Sequence, residues 1–156
     1  MGSGSSGPYG KSQPYASTYH VEKSMHQHDI KTGIYHDGHY DKNPTATNIS
    51  DMINGNYLGN KNTNIEMPYV VTKNGDIIVG RRNGNGKGGL ATPHPTLIGG
   101  KNPEVAVAGI LHIHGGKIAK YDTKSGHFKP NIKSMAAADA AFSNLPRTLF
   151  KMKRGK

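Results

Sequence analysis

Nine histidines stand among the 156 residues of this chain, and imidazole is the side chain that most readily both takes and gives a proton near neutral pH. They fall into three groups. His20, His26, His28, His36 and His39 lie in a polar N-terminal region. His-x-His spacing there suits metal capture, but a zinc site built on histidine needs a third ligand that the spacing does not supply, so these side chains read as solvated decoration. His112 and His114 stand two apart on an expected strand and so share a face. With Lys117 across a turn they form a set able to cleave RNA without metal. One imidazole would take the proton of a ribose 2′-hydroxyl, the other would protonate the leaving 5′-oxygen, and the ammonium would stabilise the charged phosphorane. The competing reading is an exposed polar strand face. His94, in Thr92-Pro93-His94-Pro95-Thr96, and His127, in Lys124-Ser125-Gly126-His127-Phe128-Lys129-Pro130, sit on irregular backbone beside strand ends, where a rigid scaffold tends to hold sites. These two are the preferred catalytic pair, with Ser125 and Thr96 as hydroxyls to orient a phosphate. The alternative for each is a histidine that caps a loop.

The charge around these residues points to a polyanion. Twenty Lys and Arg against ten Asp and Glu give a formal net charge of +10, a field that attracts phosphate backbones. Arg81, Arg82, Lys117 and Lys129 are the cations expected to steer RNA. No apolar run of about 18 residues occurs, so no membrane partner is expected. The absence of cysteine excludes disulfide scaffolding, thiolate catalysis and Cys-based zinc sites, including the zinc-activated water of nucleobase deaminases. Acidic residues are scattered, without a His-Asn-His or paired-carboxylate pattern, so neither a metal nor a cofactor is expected.

Elements must hold these groups in place. With 33% hydrophobic residues the chain can bury one modest core. The expected class is α+β: a small sheet built from β-hairpins, with a short C-terminal helix and long polar loops. Residues 69–73 and 76–82 read as strands joined at Asn74-Gly75. Gly84, Gly86 and Gly89 have the G-x-G-x-x-G spacing, but Pro93 and Pro95 argue against a helix opening there, so residues 83–91 read as a loop. A second hairpin is expected over residues 104–123, with 105–114 as one strand, Gly115-Gly116 as its turn and 117–123 as the return. A two-residue turn would set His114 opposite Lys117, His112 opposite Ala119 and Ile110 opposite Tyr121, with Leu111, Ile113 and Ile118 on the core face. Residues 134–145 read as a helix capped by Ser134, with Ala138, Ala141, Phe142 and Leu145 as its apolar stripe, ended by Pro146. The tail holds Arg147, Lys151, Lys153, Arg154 and Lys156, either a solvated basic end or part of a phosphate footprint. The organisation expected is a linker or expression scar over 1–18, a polar His/Asn-rich segment, partly ordered, over 19–66, and a compact domain over 67–156. The middle segment is either a linker draped over a surface or a first layer of the domain.

Residues 69–130 also carry a family likeness. His94-Pro95-Thr96-Leu97-Ile98-Gly99-Gly100, Ala108-Gly109, Gly116-Lys117-Ile118 and above all Ser125-Gly126-His127-Phe128-Lys129-Pro130 resemble the C-terminal toxin domains of bacterial polymorphic toxins, the tips of Rhs-type and contact-dependent inhibition proteins. The resemblance implies that residues 67–156 are a toxin-like domain delivered by a larger secreted carrier protein. It would act in the cytoplasm of a target bacterium and be neutralised in the producer by an acidic immunity protein. It leaves the reaction open, because such tips include ribonucleases, deoxyribonucleases, ADP-ribosyltransferases and deaminases. Domains of this look carry an acidic residue after the Ala-Gly pair, where this chain has Ile110. Histidine content and charge favour a ribonuclease using His94 and His127. An ADP-ribosyltransferase acting on NAD would need a carboxylate beside the nicotinamide ribose, and Glu104 is the only acidic residue between Asp76 and Asp122. The third reading is a non-enzymatic nucleic-acid-binding module.

Overall fold

Short polar pieces open the chain and longer apolar strands follow. The computed structural model describes residues 15, 17–81 and 93–151. Strand β1 (Tyr19–His20) and a 3-10 turn (Lys23–Met25) lead into helix α1 (His26–Thr32), which Gly33 ends at φ 85°, a left-handed conformation that glycine adopts without strain. Strands β2 (Tyr35–His36) and β3 (His39–Tyr40) are joined by Asp37-Gly38. Both turn residues have positive φ, 55° and 78°, the mirror-image turn that matches strand twist. Next come β4 (Thr47–Asn48), a 3-10 turn (Ile49–Met52), the small hairpin β5 (Ile53–Asn54) and β6 (Tyr57–Leu58), then β7 (Ile65–Val71) and β8 (Ile77–Val79). A 3-10 turn (His94–Leu97) precedes β9 (Glu104–Val105), β10 (Val107–His114) and β11 (Lys117–Tyr121). The 3-10 turn Ile132–Ser134 runs into helix α2 (Met135–Phe142), and Arg147–Leu149 forms a last 3-10 turn.

Five strands make one antiparallel sheet in the order β11-β10-β7-β8-β4. Period-two alternation gives it two cores, since successive residues point to opposite faces. On one face Met67, Tyr69, Val71, Val107, Leu111 and Ile113 pack under Ala138, Ala141 and Phe142 of α2. On the other, Val70 and Ala108 meet Val21, Tyr40, Leu97, Val105 and Phe128. The protein is thus an α+β fold of small antiparallel sheets with a short C-terminal helix, and both expected hairpins are present. None of its described helices is long and apolar enough to cross a membrane.

The register of β10 with β11 differs from expectation. His114 faces Lys117 as expected, but His112 faces Lys120 rather than Ala119, and Tyr121 faces Leu111 rather than Ile110. A one-residue irregularity between His112 and Ile113 is the cause. Ile118 is buried in the core under α2, and Tyr121 stacks on Phe142 with ring centroids 4.0 Å apart. Residues three apart share a face only if one extra residue is inserted, so a bulge at Ala119 reconciles the two packing demands.

Ser134 does not cap α2 with its side chain. Its backbone is already helical, and its buried Oγ lacks a hydrogen-bond partner among the described residues. The cap lies one turn earlier, where the Asn131 Oδ1 accepts the Lys133 N–H at 2.8 Å. The segment before β7 is a layer of the domain, not a draped linker. β1 pairs with β9 and β4 extends the main sheet, while Ile49 and Leu58 enter one core and Val21 and Tyr40 the other. Residues 1–14, Arg82, the glycine-spaced run 83–91 and the tail cations Lys153, Arg154 and Lys156 lie outside the described residues.

Candidate functional site

His127 is held by its own loop before it meets a partner. Ser125 makes the turn: its Oγ accepts the Phe128 N–H at 3.3 Å and its carbonyl accepts the Lys129 N–H at 2.8 Å. Phe128, 1% exposed, anchors the loop in the second core, and the His127 carbonyl accepts the Glu22 N–H at 2.7 Å. The imidazole Nε2 then lies 2.8 Å from Asp29 Oδ1. Asp29 comes from α1 and is 0% exposed. Its other oxygen, Oδ2, accepts the Tyr40 hydroxyl at 2.6 Å. As a carboxylate accepting at both oxygens, Asp29 places the proton of the neutral imidazole on Nε2, which leaves Nδ1 as the lone-pair nitrogen. Burial, and then the Asp29 carboxylate it serves, push the Tyr40 hydroxyl far above its ordinary pKa, so it remains a donor. Tyr35 packs on Tyr40 at 4.6 Å and His26 stacks on Tyr35 at 5.3 Å, an aromatic wall beside α1.

An open groove of about 700 Å³ runs beside this loop. Phe128 contributes to its apolar lining, and His20, Glu22, Lys23, Ser24, Lys129 and Asn131 supply polar groups. Glu104 is engaged at the β1–β9 junction rather than presented to a ligand. It accepts the Thr18 hydroxyl and lies 3.4 Å from Lys73 and 4.0 Å from His20. The Thr18 hydrogen bond, then the Lys73 and His20 charges, hold its carboxyl below the ordinary range.

His94, the expected partner of His127, is turned inward. It is 8% exposed and its Nε2 lies 2.8 Å from the Gly109 carbonyl. Thr96 is likewise buried, and its hydroxyl donates to the Pro93 carbonyl at 2.7 Å. The second set stays together on the hairpin, but His112 and Lys117 are engaged by other groups. His112 sits between two carboxylates, with Nδ1 3.3 Å from Glu66 Oε2 and Nε2 3.9 Å from Asp122 Oδ2. His114 is exposed. The Lys117 ammonium donates to the Asn56 carbonyl at 2.6 Å and to the Thr148 carbonyl, and lies 4.5 Å from the Tyr57 ring centroid. That cation clamps two loops together. Of the remaining steering residues, Lys129 is exposed on the groove. Arg81 is exposed at the end of β8, where its N–H donates to Thr45 Oγ1 at 3.1 Å.

The place where the resemblance expects an acidic residue, Ile110, has a carboxylate at its backbone. Asp122 Oδ1 accepts the Ile110 N–H at 3.0 Å and the Lys124 N–H at 2.9 Å. The Asp122 carbonyl accepts the Tyr69 hydroxyl at 2.7 Å. It also comes so near Gly109 that a Cβ there would lie 1.9 Å from it, so the glycine of the Ala-Gly pair is a packing requirement. Asp29, Tyr40, Glu66 and Asp122 are the functional-looking groups that sequence reasoning passed over. The Asp37-Gly38 turn signal between Tyr-His and His-Tyr was the available pointer to ordered structure around Tyr40. Comparison with protein-family models, with curated proteins and with solved structures gives no match.

Proposed function

We propose that this protein is the ribonuclease domain of an antibacterial toxin, with His127 as its proton-transfer group and Asp29 as the residue that orients it. The observation that carries the reading is a fully buried carboxylate fixing one histidine nitrogen, beside a groove lined by Lys23 and Lys129 in a chain of net charge +10. His127 Nδ1 takes the proton of a ribose 2′-hydroxyl. The 2′-oxygen attacks the adjacent phosphorus, and the bond to the 5′-oxygen breaks as that oxygen receives a proton. In this reading His20, which lines the groove beside the His127 loop, supplies it. Lys23 and Lys129 stabilise the extra charge on the phosphorane. The products are a 2′,3′-cyclic phosphate and a free 5′-hydroxyl, and the step needs no metal. The likeness of the Ser-Gly-His-Phe-Lys-Pro loop to polymorphic toxin tips supports a larger secreted carrier, an acidic immunity protein and action in the cytoplasm of a target bacterium.

The test is incubation with total bacterial RNA in chelator, alongside labelled NAD. Cleavage to cyclic-phosphate ends that falls at least 100-fold in His127→Ala, with an unchanged melt, is the expected result. Consumption of NAD with intact RNA would replace it by the ADP-ribosyltransferase reading, and inertness towards both would leave a nucleic-acid-binding module.

A further inference from the structure

We propose that His36, His39 and Asp41 form a binding site for a divalent transition-metal ion of the zinc class on the outer side of the β2–β3 hairpin. The backbone brings the three together. His39 and Asp41 flank Tyr40, and along an extended chain alternate side chains point the same way, so both project opposite to the buried Tyr40 ring. Tyr40 itself is pinned by reciprocal hydrogen bonds with Gly100, 2.8 and 3.0 Å, and the Asp41 N–H donates to the Ile34 carbonyl at 3.0 Å. His36 is the cross-strand partner of His39, and the tight Asp37-Gly38 turn fixes that register.

One ligand atom from each residue lies within 4.8 Å of the other two. His36 Nε2 is 2.9 Å from Asp41 Oδ1, and His39 Nε2 is 4.0 Å from the same oxygen. Ligands about 2.0–2.2 Å from a tetrahedral zinc lie roughly 3.3–3.6 Å apart, between these two separations, so small side-chain rotations complete the set. The far side of His36 is also prepared. Its Nδ1 lies 3.3 Å from Asp37 Oδ2, the carboxylate behind a ligating imidazole that fixes ring orientation in metal sites. Two imidazoles select zinc-class ions over calcium or magnesium, and three protein ligands leave one position for water. The side chains are accessible, with exposures of 48%, 44% and 52% for His36, His39 and Asp41. The third ligand that histidine spacing lacked is Asp41.

The site is separate from the groove but tied to it through one residue, because Tyr40 lies between two of the ligands and donates to Asp29. An ion on the hairpin therefore stiffens the strand that positions the His127 partner, without entering the reaction.

Calorimetric titration of the full chain with zinc chloride alone tests this. One saturable site is expected in the wild type. Affinity should fall at least tenfold in Asp41→Asn and in the double variant His36→Ala/His39→Ala, and remain unchanged in His28→Ala, an exposed histidine of α1. Cobalt in place of zinc should give the intense visible absorption of a low-coordinate ion in the wild type and not in the double variant. Circular dichroism of the metal-free variants reports whether they fold. Zinc binding that survives in the folded double variant, or no binding by the wild type, overturns the proposal.

Discussion

His127 and His36 each meet an aspartate oxygen at nearly the same distance, 2.8 Å and 2.9 Å, yet the two contacts have little else in common. The Asp29 side chain is 0% exposed and that of Asp41 is 52% exposed. The first pair joins residues 98 apart in sequence, brought together by α1, β3 and the loop after β11. The second is local to one hairpin. Away from water a carboxylate must be satisfied by donors at fixed positions, so its geometry is dictated by everything packed around it. At the surface water substitutes for either partner, and the same distance implies neither stability nor rigidity. The buried pair is built to hold one histidine still. The exposed one is free to exchange its proton for a metal ion.

Removing each carboxylate breaks that comparison most directly. Asp29→Ala leaves the Tyr40 hydroxyl and His127 Nε2 without their acceptor in the interior, and should cost about 3 kcal/mol of stability. Asp41→Ala in metal-free protein should leave the unfolding midpoint unchanged within error. Urea unfolding of both variants decides it. Equal losses would mean that the hairpin contact is structural and that burial does not separate the two sites.

Tyr40→Phe is the sharper probe, because it removes one donor from Asp29 and leaves the ring in the core. Loss of a hydrogen bond to a charged acceptor should cost about 1.5 kcal/mol, roughly half the effect of removing the carboxylate. The remaining His127 contact should then orient less well, so RNA cleavage should drop several-fold while the phosphate footprint on the groove stays the same. A variant as stable as wild type would show that Asp29 draws its second hydrogen bond from elsewhere.

Much of this architecture was legible in the sequence, and the failures have physical causes. The β10–β11 hairpin was visible because Gly115-Gly116 accepts two positive φ values, 62° and 76°, and Leu111, Ile113 and Ile118 alternate around it. The bulge was invisible, since it is imposed by Phe142 of α2, which Tyr121 must reach. His127, Ser125 and Lys129 stood out through the Ser-Gly-His loop. Asp29 did not, because its partner lies 98 residues away and apolar residues around it are too sparse to show a period. His94 is expected on irregular backbone, whereas it opens a 3-10 turn that Pro93 precedes and Pro95 continues; that turn is buried, and no composition rule states which way such a histidine faces. The hairpin pattern places Lys117 opposite His114, as observed, but it does not show that two backbone carbonyls from distant loops claim its ammonium.

The smallest expected effect separates the two regions by backbone rather than by charge. Each region has one non-glycine residue in the left-handed conformation, Asp37 at φ 55° in the metal-site turn and Lys129 at φ 44° beside His127. Aspartate tolerates this conformation because its short polar side chain bonds locally, whereas lysine has no such relief and bears a penalty of roughly 1–2 kcal/mol. Glycine removes the penalty but loses about 0.5–1 kcal/mol to the greater freedom of the unfolded chain. Lys129→Gly should therefore raise stability by about 0.5 kcal/mol, while Asp37→Gly should leave it level or lower it. RNA affinity should move the other way, because Lys129 lines the groove. Losing one phosphate contact would lower the slope of log affinity against log salt by about 1. Urea unfolding and salt-dependent RNA binding on the same variants test both halves. A Lys129→Gly protein that is less stable, or binds RNA with an unchanged salt slope, would show that the strained lysine serves the loop and not the ligand. In that event Lys23 alone would remain as the phosphate-binding cation of the groove.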